Sequence, residues 1–175
     1  MNERASLRAF LEADLHVLDR LSTDPDPLGT FGWHGFVDAR SRRRRWEKDG
    51  YVSEDSTALA VVVDGKVAGL VSWRPLDYSG PKGVCHEVGV ALLPEYRGQG
   101  LGAETHRMLV DHLFRHTTVH LLEARVEAGN TAEERTLETV GFQREGVLRE
   151  ACWRDGAWRD AVIYGLLRPA RSDLR

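Results

Sequence analysis

The chain has 175 residues, a formal net charge of −3, 42% apolar and 29% charged residues. That is the balance of a single globular domain able to bury a core without staples, and its mild acidity excludes a global field drawing it to nucleic acid or to an anionic membrane. No apolar run approaches the ~20 residues of a bilayer span, and Cys85 and Cys152 form no metal-ligand spacing. With no secretory leader pattern in front of them, the two cysteines are expected to be free thiols in the cytoplasm.

In chain order, Ser6 to Phe10 is a short strand, and Asp14 is placed to cap a helix whose apolar face includes Leu15, Leu18 and Leu21. Asp24-Pro25-Asp26-Pro27 stops that helix, and Thr30 to Gly35 is a loop rich in glycine and aromatics. A second helix spans roughly Phe36 to Lys48 and carries the run Arg42 to Arg45. Such a run is usually a solvated helix face; capture of an anion is the other reading. Thr57 to Val63 and Lys66 to Trp73 flank Asp64-Gly65, the signal of a hairpin. After a Pro- and Gly-containing loop, Val84 to Leu93 is a strand. A helix then presents Leu101, Thr105, Met108, Leu109, His112 and Leu113 on one face, and Val119 to Val126 is the next strand. Gly129-Asn130 turns into a helix over Thr131 to Val140, ended by Gly141. Phe142 to Cys152 and Trp158 to Leu167 form a second hairpin around Asp155-Gly156, and a polar tail follows. Strands and helices in this order predict a mixed α/β sheet, with the strands on either side of the long helix parallel.

The chemistry concentrates at Arg97-Gly98-Gln99-Gly100-Leu101-Gly102, between a strand and a helix. Glycines there let backbone N–H groups converge on a phosphate without interference from a Cβ. The helix N-terminus adds partial positive charge, and Arg97 adds a full one. No lysine follows the glycines as a Walker loop requires. Gly98, Gly100 and Ala103 fit a dinucleotide fingerprint with Glu123 twenty residues on. That fingerprint turns directly from strand to helix, however, whereas Pro94-Glu95-Tyr96-Arg97 intervenes here.

The stretch Val90 to Gly102, with Arg97, Gly100 and Gly102 at the spacing Arg/Gln-x-x-Gly-x-Gly/Ala, resembles the acyl-CoA pyrophosphate loop of the GNAT superfamily of N-acyltransferases. Asn130, Gly141-Phe142, Glu145-Gly146, Leu148-Arg149, Asp155-Gly156, Asp160 and Tyr164 resemble the closing half of its Rim-type branch, which acetylates protein N-termini and includes many small-amine acyltransferases. The resemblance spans roughly Ser6 to Leu167. It implies one GNAT domain over residues 1–168 with a flexible tail 169–175. Its mixed, largely antiparallel sheet would be flanked by helices and splayed at one parallel strand pair. It implies acetyl-CoA or another acyl-CoA as cosubstrate, no metal, and direct acyl transfer to a primary amine of a small molecule or a protein N-terminus. Leu92, Leu93, Arg97, Gly98, Gln99, Gly100, Leu101, Gly102 and Asn130 would hold the cofactor, with pantetheine pairing to backbone near Leu92. Dimerisation is compatible with the resemblance. Two positions depart from it: Leu137 stands where many members have a tyrosine, four residues before Gly141-Phe142, and Glu133 where Rim-type enzymes often have a serine. An acyl-CoA-binding protein with little turnover is therefore the alternative reading.

Amide formation needs a neutral amine, an electrophilic thioester and a donor for its oxyanion. A backbone N–H near Val88 to Val90 is the candidate donor. Glu87 and its neighbour His86 are the candidate bases, and alternation sends them to opposite faces of the strand. Tyr164 is the third catalytic candidate. Trp33 should border the acceptor, and Glu133 either complements its helix dipole or meets the amine. His112 and His116 share a helix face without a clear third metal ligand, and Cys85 has no activating neighbour in sequence.

Overall fold

Asp64 and Gly65 take φ of +49° and +74°, the left-handed pair that a two-residue hairpin turn demands. The turn joins β2 (Thr57–Val63) to β3 (Lys66–Pro75) in antiparallel register. The computed structural model describes residues 4–23, 31, 38, 40–77 and 84–170. The remaining strands are β1 (Ala5–Arg8), β4 (Cys85–Leu92), β5 (Leu121–Glu127), β6 (Gln143–Arg154) and β7 (Ala157–Leu167). They form one seven-stranded sheet of order β1-β2-β3-β4-β5-β7-β6, antiparallel at every neighbour pair except the parallel β4–β5.

The helices are α1 (Leu15–Thr23), α2 (Arg40–Asp49), α3 (Leu101–His116) and α4 (Thr131–Val140). On one face of the sheet, Leu101, Leu109 and Leu113 of α3 and Leu137 of α4 pack with Val71, Val88, Leu122, Ala124, Val126 and Tyr164. On the other face, Leu15 and Leu18 of α1 and the half-buried Trp46 of α2 pack with Phe10, Tyr51, Ala58 and Ala60. Alternation along β2 to β5 therefore divides their residues between the two helix layers, while β6 stays largely exposed.

Element types agree with the sequence reading, with shifted ends and one different cap. Asp14 lies in a 3₁₀ turn ahead of α1 rather than capping it. Its carboxylate accepts the Leu11 N–H at 2.7 Å and faces the Arg8 guanidinium. The side chain thus ties the helix to the end of β1, and the ion pair holds Asp14 below the usual carboxylate range. The proline stop at residues 24–27, the loop with Trp33, the first residues of the second expected helix and tail residues 171–175 lie outside the described residues. The arginine run is spent locally: Arg43 reaches Glu12 at 2.8 Å, Arg44 reaches Asp38 at 2.6 Å, and Arg45 donates to the Ser56 carbonyl at 2.9 Å.

No helix among the described residues is long and apolar enough to cross a membrane, and they contain no cluster of three metal-ligating side chains. Cys85 opens β4 at 1% exposure, and burial pushes its thiol up to about 11. Cys152 on β6 is half-buried and raised for the same reason.

Candidate active site

The parallel pairing of β4 with β5 stops early. It joins Cys85, His86 and Glu87 to Leu121, Leu122 and Glu123 and goes no further. Beyond it the strands part around a cleft of about 790 Å³. On its other side β4 stays in continuous register with β3, from Pro75 opposite His86 to Gly69 opposite Leu92. The Leu76 N–H donates to the Cys85 carbonyl at 2.9 Å and the Leu93 N–H to the Ala68 carbonyl at 2.8 Å. These two bonds fix the parity: the odd residues of β4 spend their backbone groups on β3, and Val88, Val90 and Leu92 turn theirs into the split. The Leu92 carbonyl accepts Arg97 Nε at 2.8 Å, so the loop arginine braces its own loop against the strand end. Gly69 permits the close approach of β3 to this edge, since a Cβ there would stand 2.1 Å from the Ala91 carbonyl oxygen.

At one end of the cleft, Gly98 and Gly100 have φ of +71° and +79°, and Gly100 is the N-cap of the 16-residue α3. Nothing lies within 4 Å of a Cβ built on Gly98, and only Arg4 Nη2, at 3.8 Å, approaches one on Gly100. The loop is thus an open concavity of backbone at a helix N-terminus, which fits an anion such as a pyrophosphate. Arg4 donates to the Gln99 carbonyl at 2.8 Å and brings a second cation there from 95 residues away. Burial lowers the Arg97 pKa without discharging it. Gly98, Gly100, Gly102 and Arg97 line the cleft. So does Asn130, the N-cap of α4, whose Oδ1 accepts the Glu133 N–H at 3.4 Å. Leu93 and Leu101 are core residues beside the loop, and the Gln99 side chain donates to the Glu95 carbonyl at 2.8 Å.

The α1–α2 face of the cleft is charged. Arg74 Nε donates to Glu87 Oε2 at 2.8 Å, and Arg125 Nε reaches Glu123 Oε1 at 2.8 Å. Arg154 from β6 grips both Glu127 oxygens, with Nε at 3.0 and 2.9 Å. Glu123 and Glu127 are buried, at 3% and 9% exposure, as carboxylates are only when paired. Phe31 stacks under the Arg154 guanidinium at 5.1 Å and, with Leu21, lines this side.

The expected catalytic residues do not converge on one point. Glu87 lies on the charged face at the last residue paired with β5, 21% exposed and held by Arg74. His86 lies on the helix face, its Nδ1 buried without a hydrogen bond and its pKa lowered by burial. Tyr164 is fully buried beneath α4, its hydroxyl between Glu134 Oε2 at 3.4 Å and Glu138 Oε1 at 3.3 Å. Burial and those carboxylates push it up to about 12, and it does not line the cleft. Leu137 is core. Trp33 lies outside the described residues. Glu133 does line the cleft, half-buried, and the burial it has pushes its carboxyl up to about 7. Behind it stands His106 of α3, which the sequence reading passed over. The signal was its place on the buried stripe of α3, one residue past Thr105.

The fold is similar to that of solved acetyltransferases. A spermidine N-acetyltransferase from Vibrio cholerae in complex with CoA and spermine superposes with a TM-score of 0.83 at 20% identity, over 95% of this chain and 96% of that one. RimL, a ribosomal alpha-N-protein acetyltransferase in complex with coenzyme A, gives 0.73 at 18% identity over 94% of each chain. An uncharacterized N-acetyltransferase, p20, of Bacillus licheniformis is 26% identical over 148 residues, 82% of either chain. Residues 4–143, from Arg4 beside the glycine loop to the first residue of β6, match the acetyltransferase (GNAT) domain family. The split sheet, the glycine loop and that match agree: the chain belongs to the GNAT family and is an acyl-CoA-dependent N-acetyltransferase.

Proposed function

We propose that the protein transfers an acetyl group from acetyl-CoA to a primary amine by direct attack. The observation that carries this is the split at Val88: it offers unspent backbone groups of β4 to one substrate and opens toward the charged Glu/Arg face for the other. The pyrophosphate would lie on Gly98 to Gly102, and the pantetheine amides would meet Val88, Val90 and Asn130. A thioester carbonyl within reach of the Val88 or Val90 N–H would have its developing oxyanion stabilised there, worth about 2.7–4 kcal/mol for a well-placed donor.

The acceptor would enter past Leu21 and Phe31, where the cleft wall carries Arg125 and Glu127, with Glu123 paired to Arg125 behind it. We assign the base to Glu87. It stands on that face where the strands part, it is partly exposed, and Arg74 engages its Oε2, which leaves Oε1 toward solvent or amine. His86 sits on the opposite face in a dry environment, and Tyr164 holds α4 against the sheet. The acceptor class suggested by this wall is an amine on a small molecule or a protein N-terminus, since both signs of charge are available around it. The test is release of free CoA thiol from acetyl-CoA with a panel of diamines, amino acids and N-terminal peptides. Acetylated product with at least one class supports the reading. Tight CoA binding without turnover across the panel would replace it by a binding role.

A further inference from the structure

The cleft wall holds a half-buried acid in contact with a buried base. His106 is 1% exposed, and its Nδ1 lies 3.0 Å from the Gly102 carbonyl one turn earlier. A carbonyl only accepts, so Nδ1 carries the proton there and Nε2 presents a lone pair. Nε2 is buried, makes no hydrogen bond, and lies 3.3 Å from Glu133 Oε1. A lone pair facing a carboxylate is repulsive, so the contact is favourable when a proton lies between them. That proton belongs on Glu133, because burial lowers His106 and raises Glu133 to about 7. The pair is therefore a neutral carboxylic acid against a neutral imidazole rather than a salt bridge, and rotation of the carboxyl closes the hydrogen bond. Phe142 meets the His106 ring edge-on at 6.5 Å.

The charged and titratable groups on the surrounding elements are few. Glu134 on α4 is engaged by the Gly129 N–H at 3.2 Å and by Tyr164 of β7, and Glu127 by Arg154. Arg97 and Arg125 line the cleft as permanent cations. Of the described side chains on the cleft wall, Glu133 is thus the one that can give up a proton near neutral pH.

We propose that Glu133 is the proton donor to the departing CoA thiolate, with His106 as its positioning residue. The inference rests on the acetyl-transfer reading above. The amine nitrogen forms its bond to the thioester carbonyl carbon. The C–S bond breaks with its electron pair on sulfur, and the Glu133 O–H proton passes to that sulfur. The surplus proton on the attacking nitrogen passes to Glu87 and from there to water, and water reprotonates Glu133, so the sum is acetyl-CoA plus amine giving amide plus free CoA.

The test combines titration and kinetics. Carboxyl ¹³C NMR of the intact protein, with and without CoA, should show Glu133 titrating near 7; titration at the ordinary ~4.3 in both states would overturn the proposal. With any amine that the parent acetylates, kcat should fall as pH rises through that value. Glu133→Gln should remove this alkaline limb and lower kcat ~10-fold or more, with the KM for acetyl-CoA within about twofold. His106→Leu, which withdraws the acceptor that favours the protonated acid, should move the limb to lower pH. Parent-like kcat and an intact limb in Glu133→Gln would eliminate the donor role while acetyl transfer stands. No turnover by the parent with any amine would instead remove the transfer reading, with the titration still reporting where the proton resides.

Discussion

The two walls of the cleft are built by different means. The wall proposed for the cofactor is made of backbone: glycines at positive φ, a helix N-terminus, and the strand groups that β4 no longer spends on β5. The opposite face is made of side chains in opposite-charge pairs, contributed by β3, β4, β5 and β6. A backbone site is specified by a few consecutive residues and tolerates change at most of them. A paired-charge wall is specified by residues far apart, and breaking one pair strands the partner.

The largest effect expected is on the backbone wall. Gly100→Asp places a Cβ at φ +79° and a negative charge at the α3 N-terminus, and CoA affinity should fall beyond ~100-fold by calorimetry, close to abolition. Unchanged affinity would mean the loop is not the phosphate site. On the opposite wall, Glu87→Gln should lower kcat ~10²-fold with CoA affinity preserved. Near-normal turnover there would erase the catalytic distinction between the walls.

The next effects are on stability. Leu137→Tyr adds volume and a hydroxyl to a side chain that is 0% exposed in the core, and about 1–3 kcal/mol of stability should be lost in denaturant titration, with no gain in kcat. Gly69→Ala drives a Cβ into the Ala91 carbonyl. Its loss of stability should be of similar size, about 1–3 kcal/mol, and accompanied by weaker CoA binding because β4 is the displaced strand.

The smallest effect concerns the scaffold of the charged face. The folded-state pKa of Asp14 is depressed by Arg8. Its stabilisation is therefore complete above the unfolded value of ~3.9 and lost as pH falls through the lower folded value. Asp14→Asn should cost about 0.5–1 kcal/mol at pH 7, and the difference from the parent should shrink in acid. A constant difference across pH would show that the Leu11 N–H bond, not the charge, is what matters.

The same contrast explains what could be read in advance. The hairpins at Asp64-Gly65 and Asp155-Gly156, the loop Arg97 to Gly102, and α4 between Asn130 and Gly141 are all local in sequence, and their element types were legible from turn chemistry and caps. The Glu127–Arg154 pair spans 27 residues and the Arg4–Gln99 bond spans 95. No periodicity encodes such distances, because they follow from strand order and register. Asp14 was misread for a related reason: its type suits an N-cap, and only the position of Arg8 at the end of β1 decides which N–H it takes. His106 was missed because a polar residue on an apolar helix stripe looks like the stripe's margin until a second helix closes over it.

Cys85 bears on how any of this is measured. A thiol held near 11 and 1% exposed is almost entirely protonated and shielded at assay pH, and Cys152 is shifted in the same direction. Disulfide reagents react with thiolates, so the protein contributes a slow background and released CoA contributes the signal. The burial that keeps the first residue of β4 chemically silent is what makes continuous colorimetric assay of this chain practical, and it predicts that maleimide labelling of the native protein is sluggish at both cysteines until the sheet is unfolded.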